Sequence, residues 1–166
     1  MDDSISRLQK IIYENLAAPE EWFAIVKRLE AAALTLQQHH PTSKDPSQAF
    51  EGRAQEFMLW GFCIEDLMKG LLARKRQGEG DSIIKQKSNE ATYAGPQHNL
   101  NEIADQISFT RNTQERLALE FFSKATVYLG RYPLPVSSRD LTVYWDDTFD
   151  VLLKSLLTRL KKEAGI

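Results

Sequence analysis

The stretch that decides the fold covers residues 50–71 and reads FEGRAQEFMLWGFCIEDLMKGL. Apolar or small residues recur in it at alternating steps of four and three, which is the spacing of one helix face that packs on other helices. The pattern predicts a long helix that is capped at Asp45 and ends near Gln77. Gly61 lies on this face, where its missing side chain predicts the close approach of another helix. The predicted face consists of Phe50, Ala54, Phe57, Gly61, Ile64, Met68 and Leu71.

Helical spacing also dominates the rest of the chain. Residues 5–16 and 19–36 each carry an apolar face at steps of three and four. A proline between them suits the first turn of a new helix, and Asn or Asp followed by Glu three residues later is the spacing of a capping box. Residues 141–145 are the one segment that weakly resembles a strand, and the other patterned segments have helical spacing. The sequence therefore predicts an all-α fold. The predicted helix starts are Pro19, Asn99 with Glu102, Asn112 with Glu115, and Asp146 or Asp147.

Length and charge narrow the classes of protein that this chain can represent. Its 166 residues are enough for one domain with a sizeable core, and the net charge of −2 provides no overall basic field for nucleic acid. Binding of nucleic acid would therefore need a local basic patch. No apolar run approaches the ~20 residues of a membrane span, and we expect a cytoplasmic protein without a membrane partner.

Few residues are available for metal or thiol chemistry. Cys63 is the one cysteine, which excludes a disulfide framework, and its apolar neighbours predict a buried side chain. His39 and His40 are adjacent in a polar stretch without a nearby cluster of cysteines or carboxylates, so they form a poor metal site. We expect no metal and no cofactor.

Two short motifs bracket one predicted helical hairpin. They are Gly95-Pro96-Gln97-His98-Asn99-Leu100 and Tyr128-Leu129-Gly130-Arg131-Tyr132-Pro133. Together with the acidic run Glu65-Asp66-Leu67-Met68-Lys69 on the long helix, they resemble the elements of the HEPN family, in which "Gly-His-Asp-Leu" and "Arg-Tyr-Pro" stand at these places. The resemblance covers about residues 45 to 160 and implies an up-and-down helical bundle. We expect a HEPN-like bundle over residues 45–166, whereas residues 1–40 lie outside the resemblance and are expected to form an added N-terminal helical hairpin packed on the bundle.

Many HEPN proteins are metal-independent ribonucleases, and this chain lacks their signature. That signature is an arginine followed, after four to six intervening positions, by a histidine. Arg111 and Arg131 have no histidine at that distance, and no arginine stands at the matching distance before His98. The chain therefore resembles the non-nuclease branch, which implies a non-enzymatic binding module in a bacterial defence or toxin–antitoxin type system. It also implies a homodimer that binds a nucleotide, RNA or a protein partner such as a nucleotidyltransferase.

The candidate ligand-binding residues fall into three groups, each with a simpler structural explanation. The most basic stretch could bind phosphates or could be a solvated helix end. The histidine of the first motif could contact a ligand or could fix the turn before a helix. The second motif could line a pocket or could pin a connecting segment onto the bundle. The residues are Arg74, Lys75, Arg76, His98, Asn99, Arg131 and Tyr132.

Two other functions remain open on the sequence. One is a diverged ribonuclease that uses His98 with Arg131 or Arg111, since a histidine can act as the acid–base and an arginine can stabilise the phosphate. The other is a structural protein whose apolar surface is a subunit interface.

Overall fold

The computed structural model describes residues 18–39, 53–78, 98–128 and 147–166, and all regular secondary structure within these ranges is helical. This confirms the all-α prediction. The last helix begins at Asp147, one of its two predicted starts. The helices are α1 (Pro19–Gln38), α2 (Ala54–Gly78), α3 (Leu100–Gln106), α4 (Thr113–Tyr128) and α5 (Asp147–Ala164).

Several predicted features lie outside the described residues. They include the apolar stretch 5–16, the helix cap at Asp45 and the strand candidate 141–145. The first half of the first motif, Gly95-Pro96-Gln97, and all of the second motif after Tyr128 lie outside them as well. The helix starts and the core can therefore be compared with the sequence, whereas these segments stay predictions.

Local capping begins the helices where the sequence predicts. Pro19 opens α1 after an extended Ala18. The side chain of Asn99 accepts the backbone N–H of Glu102 at 3.3 Å, which caps α3. At α4 the exchange is reciprocal. The backbone N–H of Asn112 donates to the side-chain carboxylate of Glu115 at 2.9 Å, and the backbone N–H of Glu115 donates to the side-chain oxygen of Asn112 at 2.8 Å. The α4 cap is a complete capping box.

The central element of the bundle is α2, because each of the other four helices contacts it. The predicted positions Phe57, Ile64 and Met68 are fully buried. Burial nevertheless extends well beyond the predicted seven-residue pattern, because helices pack on more than one side of α2. The additional buried apolar residues of α2 are Trp60, Cys63, Leu67, Leu72 and Ala73.

Helix α1 runs antiparallel to α2 and packs directly against it. A Cβ atom on Gly70 would lie 2.4 Å from the Phe23 ring, so this ring occupies the space that a side chain would need. Farther along α1, the carbonyl oxygen of Val26 lies 3.9 Å from Sγ of Cys63, which precedes Gly70 on α2. Burial raises the pKa of the Cys63 thiol, and this confirms the predicted buried cysteine.

Aromatic rings join α2, α4 and α5 on the other side of the core. The ring centroid of Phe121 lies 5.5 Å from that of Phe57 and 5.1 Å from that of Phe149, and both pairs meet edge to face. Edge-to-face geometry is the favoured arrangement of aromatic pairs and adds about 0.5–1.5 kcal/mol beyond the burial of area. Phe121 thus couples three helices in one contact.

Ionic contacts tie the start of α2 to α5. The Arg53 guanidinium donates to Glu56 at 2.8 Å and to Asp150 at 3.0 Å. Glu56 is fully buried and also accepts the indole N–H of Trp60 at 3.0 Å. Burial of Arg53 works to lower its pKa, but the hydrogen bonds that it donates to the two carboxylates, together with their negative charges, outweigh burial and raise the pKa above its usual value. The buried carboxylate of Glu56 is thus paired rather than isolated.

Gly61 marks the predicted close approach, and the approaching element is α4. A Cβ atom on Gly61 would lie 2.6 Å from Cγ2 of Thr126 and 3.0 Å from the carbonyl oxygen of Phe122. The backbone of α4 therefore occupies part of the space that any larger residue would need, and glycine is required for packing rather than for a special backbone conformation.

Within the described ranges, no helix combines the length and the apolar composition of a membrane-spanning segment.

We expect Gly61→Ala to lower the free energy of unfolding by about 1–3 kcal/mol, because the overpacked contact outweighs the gain of about 1 kcal/mol in helix propensity. Urea denaturation followed by circular dichroism measures the change. The double variant Gly61→Ala/Thr126→Ser removes the nearest methyl group and should recover part of the loss. An alanine variant as stable as the parent would contradict the close α2–α4 contact.

Candidate functional site

A charged stripe runs along one face of α2 between α1 and α3. Glu65, Lys69 and Arg76 stand at spacings of four and seven residues, which places them on the same side of the helix. The Glu65 side chain is only 3% exposed, Lys69 is 11% exposed and Arg76 is half-buried. A carboxylate therefore lies at the base of the stripe, with cations closer to solvent.

His98 contacts this stripe from the turn that precedes α3. Its Nδ1 lies 2.8 Å from Oε2 of Glu65, while the Lys69 ammonium pairs with Oε1 of the same carboxylate. Because an ionised carboxylate only accepts hydrogen bonds, Nδ1 is the ring nitrogen that carries the proton. Both oxygens of Glu65 are thus engaged, which compensates for burying its charge.

The backbone at His98 is held in an uncommon conformation. Its φ angle is +64°, in the left-handed region that few residues other than glycine adopt. Such a conformation costs on the order of 1 kcal/mol and persists where surrounding contacts enforce it. Two contacts do so here: the bond from the imidazole to Glu65, and the backbone N–H of Leu100, which donates to Oγ of Ser123 at 3.0 Å.

Aromatic rings flank the charged groups. The Phe62 ring meets the imidazole of His98 at a centroid distance of 6.4 Å, and Nζ of Lys69 lies 5.4 Å from the centre of the Trp22 ring on α1. The His98 side chain is 27% exposed, and Trp22 and Phe62 are half-buried. Cationic groups and aromatic rings thus share one partly accessible surface. We call it the His98 face, consisting of Trp22, Phe62, Glu65, Lys69, Arg76 and His98.

Asp66 adds a second carboxyl beside Glu65. Burial and the neighbouring Glu65 charge raise the pKa of Asp66 from its usual 3.8 to about 7, although Lys69 works in the opposite direction. This carboxyl therefore changes charge near neutral pH. The acidic pair Glu65-Asp66 consists of one carboxylate bonded to Lys69 and His98 and one carboxyl that takes up a proton.

The basic run from the sequence does not form a single strip. The Arg74 guanidinium lies 5.0 Å above the Phe23 ring on α1, whereas Nζ of Lys75 donates to the carbonyl oxygen of Gln106 at the end of α3. Neighbouring helical residues point about 100° apart, so the three cations diverge. Only Arg76 shares the face of His98.

The remaining candidate residues have different outcomes. Asn99 caps α3 through its side chain, which is a structural role. Arg131 and Tyr132 lie outside the described residues, so their part in a ligand pocket stays a prediction. Glu65 and Lys69 are essential to the geometry of this face but are not among the ligand-binding residues that the sequence predicts. Their sequence signal is an acidic residue within an otherwise buried stretch, followed four positions later by a lysine.

Arg111 forms contacts away from His98. Its Nη2 lies 2.6 Å from a carboxylate oxygen of Asp105, and its Nη1 donates to the carbonyl oxygen of Phe109 at 3.2 Å. His98 precedes α3 and Arg111 follows it, so a helix of 7 residues separates them, about 10 Å in length. The described contacts therefore do not bring Arg111 to the imidazole.

A separate cavity of about 160 Å³ lies where α1 and α5 flank α2. Its apolar lining includes Leu34, Trp60 and Leu153, and the ion pair between Glu30 and Lys161 stands among its lining residues. Trp60 is 4% exposed, so most of its ring is covered by the surrounding helices. This cavity contains no residue of the His98 face.

No group of three or more His, Cys, Asp or Glu residues that could hold a metal ion occurs in the described part of the chain. Comparisons of the chain with protein-family models, curated proteins and solved structures found no match. The function must therefore be argued from the His98 face itself.

We expect Glu65→Gln to lower the free energy of unfolding by about 2–4 kcal/mol, because the largely buried Lys69 ammonium loses its counter-charge and His98 loses its carboxylate partner. Glu120→Gln is the matched control, since Glu120 also pairs with a lysine four residues away but is exposed. The control should change stability by less than about 1 kcal/mol. Chemical denaturation measures both changes. Equal losses in the free energy of unfolding for the two variants would contradict a larger contribution from the buried Glu65 pairs.

The raised pKa of Asp66 predicts a pH dependence with a defined sign. Between about pH 4 and pH 7 the folded protein retains a proton that the unfolded chain releases, so stability falls as pH rises through this window. Asp66→Asn should therefore stabilise the protein by about 1–3 kcal/mol at pH 8 and have little effect at pH 4.

Denaturation of the parent and of Asp66→Asn across this pH range tests the prediction. Glu163→Gln, at an exposed position of α5, serves as the control and should leave the pH dependence unchanged. The assignment to Asp66 would be contradicted if the free energies of unfolding of Asp66→Asn and the parent differed by the same amount at pH 4 and at pH 8.

Proposed function

We propose that this chain is a non-enzymatic HEPN-type binding module, and that the His98 face binds a nucleotide or the phosphates and bases of RNA. The observation that carries the proposal is the imidazole of His98, oriented by a buried carboxylate that also pairs with Lys69, on the side of α2 where Arg76 stands eleven residues after Glu65. The bond to Glu65 uses Nδ1 and leaves Nε2 facing a ligand, and Nε2 donates to a phosphate oxygen when the ring carries both protons. Because Glu65 is buried beneath them, the cations are the groups closer to an incoming ligand.

The aromatic rings favour a nucleotide or single-stranded RNA over a simple anion. Proteins bind such ligands by combining cations along the phosphates with aromatic side chains on which the bases stack. Each stacked base contributes about 1–3 kcal/mol. Trp22 and Phe62 supply half-buried rings beside the cations. The net charge of the chain is −2, so its overall field does not attract nucleic acid. Binding of nucleic acid therefore depends on a local patch of cations such as this one.

A diverged ribonuclease is the second candidate, and one observation favours it. A carboxylate bonded to Nδ1 of a histidine is the arrangement that orients a general acid–base, with Nε2 available to the substrate. Such an enzyme also needs a group that stabilises the phosphate in the transition state. Arg111 is engaged with Asp105 and Arg131 lies outside the described residues, so the described contacts supply an oriented base without that partner.

The HEPN resemblance extends the proposal to assembly and biological setting. It suggests a homodimer, a nucleotidyltransferase partner and a bacterial defence or toxin–antitoxin type system. The homodimer can be tested directly, because light scattering of the purified chain measures its molar mass. Twice the 19.0 kDa of one chain is the mass expected for a dimer.

We expect nucleotides or short single-stranded RNA to raise the melting temperature of the protein by several degrees at concentrations about 100 times Kd. Arg76→Ala should weaken binding by roughly tenfold, equivalent to about 1.4 kcal/mol, and should make it less sensitive to salt. Lys124→Ala is the control, because Lys124 is an exposed cation on α4, away from the face. Equal binding by both variants, or no shift with any of these ligands, would contradict the proposed site.

The same samples separate binding from catalysis. A binding module leaves the RNA intact, whereas a diverged ribonuclease would cleave it and lose that activity in His98→Gln. The melting temperature of His98→Gln without ligand must be measured in parallel, since His98 also holds the turn before α3. Cleavage that depends on His98 in a folded variant would replace the binding proposal with the enzymatic one.

A further inference from the structure

The cavity between α1 and α5 has space for an apolar group. Its volume is about 160 Å³, close to the roughly 150 Å³ of a protein cavity that binds benzene. Leu34, Leu153 and Leu157 line it together with Trp60, whose indole N–H already donates to Glu56 at 3.0 Å. Leu34 remains 43% exposed in this wall, so much of its apolar surface is still available for contact. The cavity therefore accommodates an apolar group of about the size of a benzene ring.

Two ion pairs beside the cavity establish the direction of α5. Asp150, near the start of α5, accepts a hydrogen bond at 3.0 Å from the guanidinium of Arg53, which directly precedes α2. Lys161, eleven residues later, pairs with Glu30 in the middle of α1. Because α1 is antiparallel to α2, it ends where α2 begins, and α5 therefore runs antiparallel to α1. Both carboxylates in the cavity wall are thus already bonded to a cation.

Two polar side chains of the wall have no partner in the described part of the chain. They are the Lys154 ammonium on α5 and the half-buried side-chain amide of Gln37 on α1, and both are hydrogen-bond donors. Gln37 follows Glu30 by seven residues, and Lys154 precedes Lys161 by seven residues. Since the two helices run in opposite directions, both donors lie toward the same end of the cavity, about 10 Å along the helices from the ion pair.

We propose that this cavity binds a small carboxylate with an apolar body of about the size of a benzene ring. The ammonium of Lys154 and the side-chain amide of Gln37 donate to the carboxylate, and the apolar body lies against Trp60 and the leucines. Because Glu30 and Asp150 each have a cation, Lys154 leaves one positive charge in excess, which favours a monoanion over a neutral or cationic ligand. The cavity contains no residue of the His98 face, so this site is independent of the proposed nucleotide site.

Benzoate, benzamide and benzamidine test the class of ligand, because they share one ring and differ in charge. Titrations of the isotope-labelled full chain followed by NMR measure the affinity for each. We expect saturable binding of benzoate with a Kd of about 1 mM and at least roughly fivefold weaker binding of the other two. The side-chain amide signal of Gln37 should shift with benzoate. The proposal would be overturned by a lack of saturation at about 10 mM benzoate, or by an affinity for benzamide or benzamidine equal to that for benzoate.

Three variants test the position of the site. Lys154→Met removes the ammonium but keeps an apolar side chain, so it should weaken benzoate binding about fivefold and leave benzamide binding unchanged. Lys162→Met is the matched control, since Lys162 is an exposed cation of α5 outside the cavity. Leu34→Trp fills the cavity from an exposed position and should abolish binding of both ligands, and melting without ligand verifies its fold. Equal affinity for benzoate in the two lysine variants, or unchanged affinity in Leu34→Trp, would overturn the proposal.

Discussion

The tight packing of α2 is the constraint on which the rest of the structure depends. Two of its residues, Gly61 and Gly70, have no side chain where residues of α4 and α1 fill the space that a Cβ atom would need. At these contacts the Thr126 methyl group and the Phe23 ring take the place of a side chain on α2. Because interiors are packed at the density of organic crystals, such contacts set the positions of whole helices. The two glycines thereby set the positions of α1 and α4 against the central helix.

The packing of α2 also explains why a carboxylate is buried at the candidate site. Glu65 lies on the helix that all the other described helices contact, and at its position the surrounding residues leave the side chain only 3% exposed. An unpaired buried charge would cost several kcal/mol, and His98 and Lys69 remove that cost. The imidazole comes from the turn before α3, so the pairing of one charge joins two elements and orients a ring. Structural stability and the proposed ligand site therefore share the same contact.

Much of the helical framework could be predicted because it depends on local interactions. The capping pairs at Asn99 and Asn112 involve residues three positions apart, and a proline in the first turn of α1 acts through its own ring. The candidate site was only partly predictable. His98 and Arg76 lie on the proposed face, but Arg74 and Lys75 point to different helices because successive helical residues diverge.

The sequence by itself determined the all-α class, the starts of α1, α3 and α4, the buried cysteine and Gly61 as a point of close approach. These features follow from periodicity, capping and residue size, which act within a few residues. Only the tertiary structure decided that Glu65 would meet His98, 33 positions away, and that Lys69 would share its carboxylate. No local pattern specifies such a contact, because it results from how α2 and the turn before α3 pack together.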